Sequence, residues 1–118
     1  MFAALLSAAG PAGTWKGELT MNNGDGKTKG QATLELAVKG SRLTGTLTAN
    51  GATDEILNGS VRRGVVSFVI ASGMDDIQSF HFRGSVKDDS LTLRIRGRLD
   101  EESAKVVDIG SAHLRRAK

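Results

Sequence analysis

The 118-residue chain has no cysteine. A disulfide framework and a thiolate metal site are both excluded, and the redox compartment cannot be read from cysteine usage. It has one proline, one tryptophan, no tyrosine and four phenylalanines, so any core must be built chiefly from aliphatic side chains. No run is long and apolar enough for a helix to cross a bilayer, and a transmembrane protein is not expected. The net charge is +3, from sixteen basic and thirteen acidic residues. That excess favours anionic partners but is too thin for a dedicated nucleic-acid binder, so no nucleic-acid partner is expected. His81 and His113 are the only histidines, and neither has metal-ligand spacing. No G-x-S-x-G nucleophile elbow occurs. The expectation is a non-enzyme with no catalytic residue, no metal and no cofactor.

What the chain does have is glycine, fifteen residues of it, and alternation with period two from Thr14 onward, the mark of half-buried strands. Trp15, Gly17, Leu19 and Met21 share one face of a first strand. Ala32, Leu34, Leu36 and Val38 share one face of a second, and Leu43, Gly45, Leu47 and Ala49 of a third, backed by the row Thr44, Thr46, Thr48. A fourth strand, Asp54 to Val61, is ambiguous because Ile56 and Leu57 are adjacent and cannot both point inward without a bulge. Val66, Phe68 and Ile70 line a fifth. An eighth, Lys105 to Arg116, turns Val107 and Ile109 inward and then Ala112, Leu114 and Arg116, which requires a parity shift near Gly110.

Strands six and seven settle which face is the core. With Asp88 and Asp89 as a two-residue turn, Val86 faces Leu91, Gly84 faces Leu93, Phe82 faces Ile95 and Phe80 faces Gly97. The outward pairs are then Ser85 with Thr92, Arg83 with Arg94, His81 with Arg96 and Ser79 with Arg98. Eight strands joined by short connections make an antiparallel up-and-down meander, and eight strands close into a barrel. A two-sheet sandwich would need a long Greek-key link, and none is evident. The fold class is therefore all-β: a closed, or nearly closed, eight-stranded antiparallel barrel. The longer loops Asn22 to Lys29, Asn50 to Thr53, Ser72 to Asp76 and Asp100 to Lys105 gather at one end, which is the expected mouth.

Residues 12–118 form the barrel domain. The preceding 1–11 segment is either a signal-peptide remnant, with Ser7-Ala8-Ala9 as the small-residue end, or an N-terminal cap laying Phe2, Leu5 and Leu6 over one end of the domain. The first reading makes the protein exported, periplasmic or extracellular.

Gly13-Thr14-Trp15 opening the first strand, with LTGT at Leu43 to Thr46, resembles the calycin-type barrels, meaning the lipocalins and especially the avidin-like proteins. The whole chain also resembles small barrel domains of unknown function in exported bacterial proteins. The resemblance implies that Trp15 packs at the closed end under a basic side chain from the last strand, with Arg116 as the matching residue and Arg115 as the fallback. Avidins line their biotin site with several tryptophans, a tyrosine and hydroxyl groups. This chain has one tryptophan and no tyrosine, so biotin binding is not implied.

Gly26-Lys27-Thr28 is not a phosphate-binding loop: Met21 stands where such a loop needs glycine, and the segment joins two strands. The acidic pairs Asp75-Asp76 and Asp100-Glu101 lack an EF-hand spacing. Two binding surfaces remain. The interior, with Met21, Leu36, Leu47, Phe68, Phe80, Phe82 and Ile95 as its lining, would take a small apolar ligand if the inward glycines leave room. Outside, Arg83, Arg94, Arg96 and Arg98 form a basic ridge beside the outward Val65, Val69 and Ile77. Like charges directly opposite one another destabilise, which makes Asp108, an acidic partner subunit or an anionic polymer or surface a candidate to neutralise the ridge; the alternative is simple solvation of the long side chains, since exposed arginines repel only weakly in salt. The chain thus reads as a non-enzymatic binding module for an unidentified ligand. The alternative is an oligomerising or scaffolding module with a filled core, forming a homo-oligomer through the arginine and valine face.

Overall fold

The computed structural model describes residues 10–23, 26–49, 51–71, 79–98 and 106–117. They form β1 (Gly13–Asn23), β2 (Gly26–Lys39), β3 (Arg42–Ala49), β4 (Ala52–Glu55), β5 (Leu57–Arg62), β6 (Val65–Ala71), β7 (Ser79–Lys87), β8 (Ser90–Arg98) and β9 (Val106–Arg116). Every pairing is antiparallel, and all but β1–β9 and β3–β5 join strands consecutive in the chain. The β1–β9 and β2–β3 pairings close β1, β2, β3, β5, β6, β7, β8 and β9 into an eight-stranded barrel, with β4 as a short extra strand along β3. Closure satisfies the backbone groups that an open sheet would leave along its two edges.

The hairpin of β7 and β8 has the register that alternation dictates. Val86 pairs with Leu91, Gly84 with Leu93, Phe82 with Ile95 and Phe80 with Gly97 around the turn at Asp88 and Asp89. Asp88 takes a left-handed φ of 56°, a conformation that aspartate tolerates better than most residues because its short side chain bonds locally. The parity shift in the last strand is a bulge. Ile95 pairs with Gly110 and Arg96 with Asp108, leaving Ile109 as the extra residue, so Ile109, Ala112 and Leu114 are all buried.

The ambiguous fourth strand proves to be two short ones. Ile56 is buried between them, while Leu57 turns outward and is 41% exposed. A second bulge follows, Leu57 pairing with Val69 and Ser60 with Ser67, and Asn58 absorbs the irregularity with a φ of 52°. The Asn22 to Lys29 segment is not a loop: Met21 pairs with Thr28, Asn22 with Lys27 and Asn23 with Gly26. Its all-polar composition carries no inward stripe and so hides a hairpin. Of the other loops assigned to the mouth, 72–78 and 99–105 lie outside the described residues, as do residues 1–9 and Ile77.

The core is one cluster in which Trp15, Leu34, Val66, Leu91 and Ile95 are fully buried. At three of the inward glycines the neighbouring backbone leaves no space for a side chain. A Cβ on Gly17, Gly45 or Gly84 would sit 2.1, 1.8 or 1.8 Å from the carbonyl oxygen of His113, Glu35 or Thr92 on the adjacent strand. Glycine is therefore required because the neighbouring backbone occupies that volume.

Candidate functional site

The barrel floor is built by register. Trp15 pairs directly with Arg116, and the Arg116 guanidinium carbon lies 4.3 Å from the indole centroid. Its Nη1 donates to the Ala12 carbonyl and its Nη2 to the Gly10 carbonyl, each at 2.8 Å. Nε meets Asp89 Oδ1 at 3.2 Å. Trp15 Nε1 in turn donates to the Pro11 carbonyl at 2.8 Å. One planar cation thus stacks on an aromatic face and clamps two carbonyls of the strap leading into β1. Arg115, the fallback, is exposed on the outer face. Trp15 Nε1 and all three guanidinium nitrogens of Arg116 are thus engaged at this end of the barrel.

The interior residues pack against each other. The Phe68 and Phe82 rings are stacked, with centroids 4.8 Å apart and planes at 12°. Leu36, Leu47, Phe68, Phe82 and Ile95 are buried, and Met21 and Phe80 pack partly buried against them.

The outer face of β5 to β8 is different. Strand alternation and register lay two adjacent rows across it. One runs Ser60, Ser67, Arg83, Arg94, Ser111; the other runs Leu57, Val69, His81, Arg96, Asp108. Between the bulge at Asn58 and the arginines of β8 lies an open groove of about 680 Å³, lined by Asn58, Ser67, Val69, His81, Arg83, Arg94 and Arg96 together with parts of Phe68 and Phe82. Arg96 is neutralised by Asp108, Nε to Oδ1 at 3.1 Å. Arg83 and Arg94, directly opposite each other and both exposed, make no ion pair among the described residues. Arg98 follows Arg96 along β8 opposite Ser79. Ser67 and Ser60 share a hydrogen bond at 3.0 Å. His81 Nε2 and Ser79 Oγ are 3.1 Å apart.

The ridge and Val69 were legible as outward residues by parity alone. Asn58 was not, since its place depends on the bulge, and Ser67 carries no signal beyond its alternation with Phe68.

No protein-family model matches the chain, and no curated protein matches it. Among solved structures it is similar to the crystal structure of Rv2717c from M. tuberculosis. The identity is 14% and the TM-score 0.61, with 99% of this chain and 97% of that one covered. At that identity the likeness shows the fold alone, and it shows it over nearly the full length of both chains.

Proposed function

We propose that the protein is a non-enzymatic binding module whose site is the groove on the outer face of β5 to β8, and that its partner there is anionic. The observation that carries this reading is the pair Arg83 and Arg94, side by side in the groove with no ion pair to either among the described residues. Two adjacent guanidiniums without a counter-charge repel each other, and they offer forked donors suited to carboxylate or phosphate. The stacked Phe68 and Phe82 and the close backbone approach at the inward glycines favour a filled interior over an internal ligand. Arg116 over Trp15 supports kinship with the calycin-type barrels, and the Ser7-Ala8-Ala9 pattern supports export. A symmetric dimer through the groove is disfavoured, because a two-fold contact would set these arginines against their own copies.

Retention on a phosphate-bearing resin tests the site. The double variant Arg83→Glu/Arg94→Glu should elute at clearly lower salt than Lys16→Glu/Lys27→Glu. The latter removes the same charge from two exposed lysines on β1 and β2, strands that pair with none of β5 to β8. Equal shifts for the two variants would mean that only net charge matters, and would remove the groove from the account.

A further inference from the structure

We infer that the occupant of the groove is a soluble amphiphilic anion: a phosphate or carboxylate head held between Arg83 and Arg94, and a short apolar body lying across Val69 toward Leu57. This rests on the outer-groove reading above and deepens it.

The argument starts from the two rows. The row with Arg83 and Arg94 is polar along its whole length, with Ser60 and Ser67 on one side and Ser111 on the other. The adjacent row ends in Leu57 opposite Val69. Leu57 is the large apolar side chain most exposed among the described residues, and Val69 is half-buried beside it. A charged end and an apolar end therefore meet on one face. Neighbouring strands are about 5 Å apart and alternate residues about 7 Å, so the diagonal from the arginine pair to Val69 is on the order of 10 Å. That is about the length of a phosphate or carboxylate carrying a chain of roughly six carbons. The groove, about 680 Å³ and open to solvent, admits a molecule of that size with room to spare.

A polymeric anion would use the arginines but gains nothing from an exposed leucine and valine. A bare inorganic ion would leave the apolar end uncovered. Arg96, tied to Asp108, and His81, bonded to Ser79, fill the space between head and tail. They present aliphatic stem and ring surface there, with Arg96 Nε and His81 Nε2 already engaged. The same logic makes the unliganded site costly, because Arg83 and Arg94 face each other with no ion pair to either among the described residues.

Isothermal titration of the full chain with hexyl phosphate, hexanoate and inorganic phosphate is the test. Hexyl phosphate should bind at least about tenfold more tightly than inorganic phosphate, the equivalent of burying two methylenes. Arg94→Ser should weaken both by about tenfold or more, while Val69→Thr and Leu57→Ser should weaken hexyl phosphate alone. Arg94→Ser should also raise the melting temperature of the unliganded protein by a few degrees, because it removes a like-charge contact. Equal affinity for hexyl phosphate and inorganic phosphate, both sensitive to Arg94→Ser, would overturn the amphiphile while leaving an anion site. Binding of neither, or binding indifferent to Arg94→Ser, would overturn the groove itself. Co-sedimentation with phosphatidylglycerol vesicles without hexyl phosphate binding would overturn a soluble ligand in favour of a membrane surface.

Discussion

Phe82→Asp should leave no folded protein, whereas Arg83→Asp, one residue along the chain, should leave the fold intact. Phe82 is 5% exposed, stacks on Phe68 and lies in register between Phe68 and Ile95. Truncating such a side chain costs about 3–5 kcal/mol. Placing a carboxylate there, with only apolar neighbours, costs several more because no cation or donor can satisfy it. The sum reaches the roughly 5–15 kcal/mol that holds an ordinary domain together. At Arg83 the same aspartate points into solvent opposite Arg94, where it relieves repulsion. Far-UV circular dichroism and amide dispersion by NMR separate the two variants. A soluble Phe82→Asp protein with native dispersion would mean that the faces of β7 are assigned the wrong way round.

The second large effect is at the floor. Arg116→Ala should destabilise by about 2–4 kcal/mol. It removes a cation–π contact worth about 0.5–2 kcal/mol and two charge-assisted bonds that leave the Gly10 and Ala12 carbonyls without their donors. The ion pair with Asp89 adds little. That carboxylate is 74% exposed, and surface pairs of this kind contribute about 0–1 kcal/mol. Asp89→Asn should therefore cost less than about 1 kcal/mol. Arg116→Lys should recover less than half of the alanine loss, because an ammonium cannot stack on the indole and hold two carbonyls in one plane. Urea unfolding of the four proteins measures the series. An Arg116→Ala variant within a few tenths of a kcal/mol of the parent would mean that the side chain frays into solvent and closes nothing.

These two positions also show how far the residues alone could be read. Phe82 and Arg83 were separable because the two-residue turn at Asp88 and Asp89 couples the parity of β7 to that of β8. Only one register then puts every apolar residue on the same side. The bulge at Ile109 was legible for a similar reason, since Ile109 and Ala112 cannot both face inward on an unbroken strand. The break between β4 and β5 could be located at Ile56 and Leu57 but not resolved, because either residue satisfies a local hydrophobic pattern. The choice is made by packing from β3 and β6. The β1–β2 extension within Asn22 to Lys29 looks like a loop in sequence because both strands are polar there, and backbone hydrogen bonding leaves no trace in side-chain periodicity. The arginine ridge could be seen in the sequence as a repulsive pair. The groove beside it could not, because Asn58 and Arg94 meet only through the bulge in β5 and the curvature of four strands.

The reading as a whole places a filled core inside the barrel and the binding site outside it, and one titration decides between inside and outside. Hexyl phosphate added to uniformly ¹⁵N-labelled protein should move the backbone amide resonances of Val69, His81, Arg83, Arg94 and Arg96. It should leave those of Met21, Leu36 and Leu47, on the far interior strands β1 to β3, where they were. Movement concentrated at Met21, Leu36 and Leu47, with the β7 and β8 arginines unaffected, would place the ligand in the barrel and contradict the account.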